Sequence, residues 1–449
     1  MVGASDFGTD GVRGLVGKGP ITSVVFFQIG CAVSRIYQNK EITHVKPLIL
    51  VAHDGRDSFN ELGGALLAGL ETPYAQVQNM GLLPTPVLAY LTKKQQAVCG
   101  IMVTASHNDA RYNGLKFFQA SGEKWTKKNI DRLLQEIKPI NQAGSNQYLP
   151  SSPDKNLDFA YRIYLNHIKT AIEDLPKLQR KLKIIIDCAN GAAAQLGPWI
   201  YESVGFEVLV IHNNPDGHNI NHKSGSLHTA VLQEYVVANN ADVGIAFDGD
   251  GDRLVLVDET GELLDGDNIL HILAESGLNK GHTGVVSTIM SNTALTNKLS
   301  ELGIKHAKVT VGDKHVYKKL KTEGWTLGGE PSGHIIILPH NQSGDGILAG
   351  LITILCAFNH TKNLSTWRNK MPKYPRVLLN LPLFLDQESQ IAFERYLPTI
   401  QKKFDGAIQI DSRRSGTEPI YRVALEAKER EVLDLVQTLI EKKHQTLLA

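Results

Sequence analysis

The sequence predicts an α/β protein with three domains in which strands and helices alternate, with mixed sheets, followed by a smaller C-terminal α+β domain. Two observations predict this class. Short apolar runs alternate along most of the chain with segments whose apolar residues recur at helical spacing. After residue 375 the order changes to a strand, a helix, two strands and a final helix, which is typical of an α+β unit.

The first predicted domain contains two strands and two helices. Apolar runs at Leu48–Ala52 and Ala97–Val103 end at small and polar residues that suit exposed turns, so both are predicted strands. Helices are predicted at Asn60–Leu70 and near Lys127–Ile137. The polar, proline-containing segment at residues 141–154 then predicts a linker, which is the clearest boundary in the sequence.

The second and third domains continue the alternation of strands and helices, but their sequences are too dissimilar to predict a repeat. The predicted strands are Lys183–Asp187, Glu207–Ile211, Ala241–Phe247, Leu254–Asp258, Gly284–Thr288, Lys308–Val311 and Ile335–Leu338. The predicted helices with defined bounds are Thr293–Leu302 and Lys314–Glu323.

The C-terminal domain follows a second predicted linker at Asn363–Pro375. A strand at Val377–Leu381 and a helix near Gln387–Lys403 precede two strands that flank the segment S-R-R-S-G-T-E-P, and a last helix follows. A chain of 449 residues is too long for one core, because domains usually contain roughly 100–200 residues. The predicted domain bounds are residues 1–150, 151–257, 258–368 and 369–449.

Composition and charge exclude several classes of protein. The chain has 42% hydrophobic and 21% charged residues and a net charge of +1, so no global field draws it to nucleic acid or a membrane surface. Its longest apolar stretch, Ile347–Phe358, is too short to span a bilayer. The four cysteines lack metal-binding spacing and Met1–Gly14 shows no secretory signal, so a reduced, cytoplasmic location is expected.

The segment V-T-A-S-H-N at residues 103–108 places a hydroxyl directly after a predicted strand. Folds of this class usually hold their chemistry beyond strand ends, so Ser106 is a candidate nucleophile or phosphate carrier. His107 stands beside it, and Lys116 follows ten positions later. The alternative is a turn serine that caps the next helix.

The segment D-G-D-G-D-R carries the most specific signal in the sequence. Its glycine-separated carboxylates can direct several oxygens at one point, as hard cations require, so Asp248, Asp250 and Asp252 are candidate Mg²⁺ ligands. An EF-hand would add Glu259 at its twelfth position, but Arg253 occupies the position that needs glycine and predicted strands flank the loop. A solvated acidic turn is the remaining alternative.

Three further loops combine glycine with polar side chains. R-R-S-G-T-E-P can cradle a phosphate with guanidinium, hydroxyl and backbone N–H groups, and Arg422 adds a donor; a plain hairpin turn is the alternative. G-G-E-P-S-G-H carries a carboxylate, a hydroxyl and an imidazole that suit sugar hydroxyls, although a lone histidine is more often structural. G-T-D-G-V-R-G by itself indicates only a turn with one arginine.

Taken in chain order, these five loops resemble those of the α-D-phosphohexomutase superfamily, and the resemblance covers the chain from end to end. It is nearest to the bacterial phosphoglucosamine mutases, whose motifs are similar to G-T-D-G-V-R-G, A-S-H-N, D-G-D-G-D-R, G-E-x-S-G-H and R-x-S-G-T-E-P. The stretch N-I-N at residues 219–221, followed by G-S at 225–226, is similar to a further part of that group. The chain departs from the group at Asp109, where proline is common, and at Lys314, where arginine is usual.

The resemblance implies four domains around a central cleft, with one loop from each. Ser106 would carry the phosphoryl group, and the three aspartates would hold Mg²⁺ together with the phosphoserine. Lys116 and His334 would be candidates for proton transfer, while His107 would stand beside the carrier and Arg13 would lie near the phosphoserine. The implied substrate-binding residues are Glu330 and Ser332 for the sugar, and Arg413, Ser415, Gly416, Thr417 and Arg422 for the phosphate that is not reacting.

The implied reaction interconverts glucosamine 6-phosphate and glucosamine 1-phosphate through a phosphoserine enzyme and a bisphosphorylated sugar, with a hexose 1,6-bisphosphate as activator. It would feed the synthesis of UDP-N-acetylglucosamine and the cell wall. A phosphomannomutase/phosphoglucomutase is the alternative within the superfamily, and a sugar-phosphate phosphatase or a non-catalytic sugar-phosphate binder is the alternative of another class. The implied partners are small-molecule sugar phosphates, with no nucleic acid and no membrane, and a homodimer is left open.

Overall fold

The computed structural model describes residues 3, 6–8, 11–38, 46–73, 75–138, 157–276, 284–338, 340–360, 363–414 and 420–448. The chain divides into two compact units, Met1–Ser291 with Leu299–Lys370, and Asn292–Lys298 with Met371–Ala449. Mixed sheets and helices make up the larger unit and a small α+β arrangement the other, which confirms the predicted fold class. The four domain bounds stay a prediction, and the linker predicted at residues 141–154 lies outside the described residues.

The first sheet of the larger unit is mixed. Its strands are β1 (Phe7–Gly8), β2 (Gly11–Leu15), β3 (Leu48–His53), β4 (Gln76–Leu82), β5 (Cys99–Val103) and β6 (Tyr112–Gln119). Their spatial order is β1-β2-β6-β5-β3-β4, with β4, β3 and β5 parallel and β6 antiparallel to β5. The helices of this region are α1 (Ser23–Tyr37), α2 (Phe59–Leu70), α3 (Thr85–Lys94) and α4 (Lys127–Glu136).

Two more mixed sheets follow in the larger unit. The strands of the second sheet and the helices around them in the chain are α5 (Leu157–Ala171), β7 (Lys183–Asp187), α6 (Leu196–Ser203), β8 (Glu207–Ile211), α7 (Ala230–Ala238), β9 (Val243–Phe247), β10 (Leu254–Asp258) and β11 (Leu263–Leu264). The later elements are α8 (Gly266–Glu275), β12 (Gly284–Thr288), α9 (Thr293–Glu301), β13 (Lys305–Val309), α10 (Asp313–Glu323), β14 (Leu327–Gly329), β15 (Ile335–Ile337), α11 (Gly346–His360) and α12 (Leu364–Lys370). The first part of α9, up to Lys298, is assigned to the smaller unit. The strand orders of the two sheets are β11-β10-β9-β7-β8 and β13-β12-β14-β15.

The three mixed sheets share one topology that sequence similarity does not reveal. In each, three parallel strands lie in the order second, first, third, and a fourth strand pairs antiparallel with the third. The loop between the third and fourth strands therefore lies beyond the carboxyl end of a parallel strand, where α/β folds place ligands. These three loops are the ones that carry A-S-H-N, D-G-D-G-D-R and G-E-P-S-G-H.

The smaller unit has its own antiparallel sheet and core. Its elements are β16 (Arg376–Pro382), α13 (Gln387–Lys403), β17 (Ile408–Arg414), β18 (Ile420–Ala427) and α14 (Arg430–Leu448). The spatial order is β16-β18-β17, with every pair antiparallel. Phe393 of α13, Val423 of β18 and Val436 of α14 are fully buried in this core, which is separate from the core of the first sheet.

Side-chain caps set the first residues of several helices. The Thr22 hydroxyl accepts the backbone N–H of Val25 at the start of α1, and Asp265 accepts the N–H of Asp267 at the start of α8. Such caps satisfy donors that have no partner inside the helix. Strand β5 is buried along its whole length, which explains why it reads as a continuous apolar run.

The linker predicted at Asn363–Pro375 is wrong over most of its length. Helix α12 occupies this segment, and Trp367 is only 1% exposed. The indole N–H donates to the Ala357 carbonyl at 3.2 Å, and Arg368 pairs with Asp258 at 2.8 Å. These contacts stabilise a helix that the polar composition does not favour.

Two other predictions need correction. G-T-D-G-V-R-G is more than a turn, because it includes β2, and a Cβ at Gly11 would lie 1.9 Å from the Leu115 carbonyl oxygen of β6. The strand predicted at Lys308–Val311 begins and ends earlier, because parallel pairing with β12 sets its register from Lys305 to Val309. Within the described ranges no single helix is long and apolar enough to cross a membrane; α11 and α12, bent by 88°, pass only as a pair and by length and composition.

Candidate active site

The loop between β5 and β6 holds Ser106 in an unusual conformation. Its φ is +51°, in the left-handed region, where a residue with a side chain costs about 1–3 kcal/mol. The side chain is 1% exposed, and its hydroxyl donates to Asp248 Oδ2 at 2.8 Å. The Thr104 hydroxyl accepts the Ser106 N–H at 2.8 Å and helps to hold this backbone.

Arg56, which sequence reasoning missed, organises the same loop. It is 2% exposed and pairs with Asp54 at 2.9 Å. Burial raises the pKa of Asp54, and Arg56 and the Thr104 hydroxyl oppose that rise. The available signal was the polar run H-D-G-R-D-S directly after a predicted strand. The guanidinium donates to the backbone carbonyls of Ser106 (3.2 Å), Asn108 (2.8 Å), Tyr112 (2.8 Å) and Asp109.

The loop between β9 and β10 brings three buried carboxylates together. Asp248, Asp250 and Asp252 are at most 2% exposed, and one oxygen of each lies within 4.8 Å of the others. The Oδ1 atoms of Asp250 and Asp252 are buried and accept no hydrogen bond within the described residues. Buried oxygens without donors, in an all-carboxylate set, fit a hard divalent cation, so the three aspartates can hold a metal ion.

Lys116 lies on β6, the strand that follows the Ser106 loop, and its side chain reaches this carboxylate cluster. Its Nζ lies 2.7 Å from Asp250 Oδ2 and 2.7 Å from Asp252 Oδ2, and the residue is 2% exposed. The Thr85 hydroxyl donates to the same Asp250 oxygen at 2.5 Å. The ammonium therefore offsets part of the negative charge that burial makes costly.

Asp248 and Asp252 differ in their affinity for a proton. Burial raises the pKa of Asp248 to about 8, and the Asp250 and Asp252 carboxylates add to this effect. Burial also acts on Asp252, but Lys116 and His334 outweigh it and hold its pKa well below the usual range. A bound divalent cation would favour the ionised form of Asp248.

Two histidines lie near this cluster, in different electrostatic surroundings. His107 Nδ1 is 3.5 Å from Ser106 Oγ, and burial, with Arg253 and Arg13, lowers the pKa of His107 to about 4, so its ring is neutral near pH 7. Burial also lowers the pKa of His334, but the Asp252 and Asp313 carboxylates outweigh it and the pKa is raised.

The contacts of His334 favour opposite states of its Nε2 atom. The Gly344 N–H donates to Nε2 at 2.9 Å, which requires a lone pair, whereas Asp313 Oδ2 at 3.3 Å favours a proton. The Gly344 contact fits a neutral ring with its proton on Nδ1, whereas the two nearby carboxylates favour the protonated ring. The Nδ1 atom lies 3.6 Å from Asp252 Oδ1.

An open cavity of about 470 Å³ in the larger unit lies beside these groups. Arg13, Asp252, Glu330 and His334 contribute to its lining. The Arg13 guanidinium donates to the Asn108 side-chain oxygen at 3.2 Å, and Glu330, 9% exposed, accepts the Gly312 N–H at 3.0 Å. Carboxylate, imidazole and guanidinium groups around one space can bind a polar, anionic ligand.

The structure brings most predicted site residues of the larger unit together, around the aspartate loop and the cavity. Ser332 is half-buried in the loop that carries Glu330. Arg413 and Arg422 belong to the smaller unit, where they face each other across β17 and β18. Ser415, Gly416 and Thr417 lie outside the described residues.

The EF-hand alternative fails on geometry. Glu259 turns to helix α12, where it accepts the Ser365 N–H at 3.3 Å and the Ser365 hydroxyl. The flanking elements are strands β9 and β10, as the sequence predicts. The aspartate loop is therefore not an EF-hand, and its fourth potential carboxylate, Glu259, does not join the other three.

Three protein-family models match this chain, and all three describe domains of one family. Models described as phosphoglucomutase/phosphomannomutase alpha/beta/alpha domains I, II and III match residues 4–143, 162–261 and 265–374. Together with the full-length relatives below, these matches show that the chain belongs to the phosphohexomutase family of isomerases. The resemblance predicted from the sequence is confirmed.

Within that family, the chain is similar over nearly its whole length to phosphoglucosamine mutases. The chain is 39% identical over 447 residues to phosphoglucosamine mutase of Thermus thermophilus, covering 96% of this chain and 98% of that protein. It is 38% identical over 448 residues to phosphoglucosamine mutase of Methylobacillus flagellatus, covering 97% and 96%. A solved phosphoglucomutase/phosphomannomutase family protein from Burkholderia thailandensis superposes with a TM-score of 0.77 at 25% identity, covering 100% of this chain and 98% of that chain.

Proposed function

We propose that this protein interconverts glucosamine 6-phosphate and glucosamine 1-phosphate. The observation that carries the proposal is the 2.8 Å hydrogen bond from Ser106 Oγ to Asp248 in a buried three-carboxylate loop, on a chain similar over its length to phosphoglucosamine mutases. Phosphoryl transfer depends mainly on in-line positioning and charge neutralisation, and a buried serine beside three carboxylates that can hold a cation is suited to that chemistry. We also propose a cytoplasmic location, where the product would feed the synthesis of UDP-N-acetylglucosamine and the cell wall.

The proposed reaction has two transfers. In the first, the free hydroxyl of the sugar monophosphate attacks the phosphorus of phosphoserine 106, the bond from Ser106 Oγ to phosphorus breaks, and a bisphosphate forms. The hydroxyl proton passes to a neighbouring base. After the bisphosphate reorients, Ser106 Oγ attacks its other phosphoryl group, and the isomeric monophosphate leaves with a proton on the freed oxygen. A hexose 1,6-bisphosphate would prime the unphosphorylated serine in the same way.

The chain's own residues take distinct roles in this proposal. Asp248, Asp250 and Asp252, with an oxygen on Ser106, would hold Mg²⁺, whose charge would neutralise the transferring phosphoryl group. Lys116 and His334 are proposed for proton transfer, His107 for a catalytic place beside the phosphate carrier and Arg13 for contact with the phosphoserine. The proposed substrate ligands are Glu330 and Ser332 for the sugar, and Arg413, Ser415, Gly416, Thr417 and Arg422 for the distal phosphate.

The phosphoserine is tested by Ser106→Ala, with Ser121→Ala, a serine on the exposed turn after β6, as the matched control. Intact-mass analysis should find a fraction of the unmodified protein one phosphoryl group heavier, and the Ser106 variant should lose that species and nearly all mutase activity. Excess chelator should abolish activity. A phosphorylated Ser106→Ala protein with normal turnover would disprove the assignment, and release of inorganic phosphate without isomer would identify a phosphatase.

The sugar is tested by kcat/KM for glucosamine 6-phosphate against glucose and mannose 6-phosphates, at one Mg²⁺ and one activator concentration. Glu330 can accept a charge-assisted hydrogen bond from a ring ammonium, which is worth roughly 1.5–3 kcal/mol. We therefore expect a preference for the amino sugar on the order of tenfold to a hundredfold. An equal or higher value for either neutral sugar would instead indicate a phosphomannomutase/phosphoglucomutase.

A further inference from the structure

The stretch N-I-N followed by G-S has no role in the reaction proposed above, yet its structure is unusual. Asn221 is 8% exposed and has φ of +56°, a left-handed conformation that asparagine tolerates better than most residues. Its own N–H donates to the Ala189 carbonyl at 2.9 Å. The backbone of Asn221 is thus held in place next to the carboxyl end of β7, which leaves its side chain free to contact another loop.

The Asn221 side chain reaches the loop that carries Ser106. Its Nδ2 donates to the Ser106 carbonyl at 2.8 Å and to the Asn108 carbonyl at 2.9 Å. A side-chain amide nitrogen has two N–H groups, so both are used on one loop that is distant in sequence. The Arg56 guanidinium donates to the same two carbonyls, so two side chains from different parts of the chain hold this loop.

The other end of the stretch holds the strand that leads into the aspartate loop. The Ser226 N–H donates to the Phe247 carbonyl at 2.9 Å, directly before Asp248. A Cβ at Gly225, where φ is +74°, would lie 2.6 Å from the same carbonyl oxygen. Residues 221–226 therefore contact both loops that must meet at the reacting serine.

The two loops approach each other closely where Asn221 binds. A Cβ at Gly249 would lie 2.6 Å from Asn221 Nδ2 and 2.8 Å from the Ser106 carbonyl oxygen. The hydrogen bond of 2.8 Å between Ser106 Oγ and Asp248 joins residues that are 142 positions apart. Its length depends on how the serine loop is positioned, and Asn221, in the connection between β8 and α7, donates two hydrogen bonds to that loop's backbone.

We propose that Asn221 is a positioning residue, which holds the Ser106 loop against the connection between β8 and α7 and so sets the distance between the phosphate carrier and the aspartates. The inference rests on the proposed function for its effect on turnover. Its contacts go to the backbone of the serine loop, so it acts on the transfer step more than on sugar binding. A misplacement of about 1 Å at a reacting group can cost on the order of a hundredfold in rate.

The test compares Asn221→Asp with Asn219→Asp. The first change keeps the shape but directs a carboxylate oxygen, in place of two N–H groups, at two carbonyl oxygens. The control changes an amide of the same segment that donates within its own loop, to the Asn214 carbonyl at 3.0 Å. We expect Asn221→Asp to lower kcat about 10- to 100-fold with KM within about threefold, and to slow phosphorylation of Ser106 by the bisphosphate. The control should match the unmodified protein.

Amide hydrogen exchange gives a readout that does not require turnover. Backbone amides of residues 104–112 should exchange faster in Asn221→Asp than in the control, while the strands of the first sheet keep their protection. Asn221→Gly, which tolerates the left-handed backbone and removes both donors without adding charge, should show the same pattern if the aspartate variant does not fold. Unchanged kcat and unchanged exchange in the folded variant would overturn the inference while the unmodified enzyme stays active. Inactive unmodified protein would instead refute the proposed function, and the exchange comparison would still decide the role of Asn221.

Discussion

At the scale of single residues, Lys116 is the cation on which the buried carboxylates depend. It pairs at 2.7 Å with both Asp250 and Asp252, and all three residues are at most 2% exposed. Removing one partner of a buried ion pair leaves uncompensated charge, which is more costly than the pair itself is favourable. The lysine therefore keeps the aspartate loop compact when no other cation is bound.

Replacing Lys116 with methionine should lower the free energy of unfolding by about 3–5 kcal/mol without divalent metal. The loss should be smaller in Mg²⁺, because a bound ion would supply the missing positive charge. Urea unfolding with and without Mg²⁺ measures both values. The control is Lys127→Met, whose side chain is 85% exposed in a surface pair and should change stability by less than about 1 kcal/mol. Equal losses with and without Mg²⁺ would contradict metal binding at this cluster.

At the scale of secondary-structure elements, the turn from β3 to α2 combines a half-buried histidine, His53, with the loop-binding Arg56. The Gly55 N–H donates to His53 Nδ1 at 3.1 Å, and the ring stacks on Phe59 with centroids 4.0 Å apart. The first contact requires a lone pair on Nδ1, which fixes a neutral tautomer. Burial lowers the pKa of His53 to about 4, so the folded protein resists protonation of this turn.

This turn predicts a pH dependence of stability. The pKa of His53 is lower in the folded state than its ordinary value of about 6.5. Neutral His53 therefore makes its full contribution to the free energy of unfolding above about pH 6.5, and this contribution is lost as pH falls towards 4. Relative to His53→Asn, which cannot take up a proton, the unmodified protein should lose about 2 kcal/mol more between pH 7 and 4.5. Denaturant unfolding across this range measures the difference. His218→Asn, at an exposed position, is the control, and parallel pH curves for the His53 variant and the unmodified protein would refute the account.

At the scale of the whole molecule, the smaller unit presents two arginines at facing positions of one hairpin. Arg413 on β17 and Arg422 on β18 are Cα partners in the antiparallel ladder. Like charges directly opposite each other are unfavourable, and an anion held between them would relieve the repulsion. This supports the proposed role of the hairpin in binding the phosphate that is not reacting.

Arg413→Lys should raise KM for the sugar phosphate about tenfold and leave phosphorylation of Ser106 unchanged, because lysine keeps the charge but not the planar fork. Steady-state kinetics and intact-mass analysis give the two measurements. Arg395→Lys, at an exposed position of α13, is the matched control and should leave both unchanged. If the Arg413 variant bound substrate normally but failed to become phosphorylated, the hairpin would act at the serine instead.

The sequence predicted much of the fold because the local patterns of several strands were strong. The bounds of β7, β8, β10 and β12 match their predictions residue for residue, since these strands are apolar runs that end at turns. Helix α12 was mistaken for a linker because its stability comes from the burial of Trp367 and the pairing of Arg368, which local composition does not encode.

By itself, the sequence determined the fold class, the five candidate loops and the chemical groups that they carry, because motif spacing and strand patterns are local properties of the chain. Only the tertiary structure decided which groups meet: Ser106 with Asp248, Lys116 with Asp250 and Asn221 with the serine loop. Each of these contacts joins residues more than 100 positions apart, across two sheets whose shared topology leaves no repeat in the sequence. Sheet pairing and burial set those distances, and no local pattern specifies them.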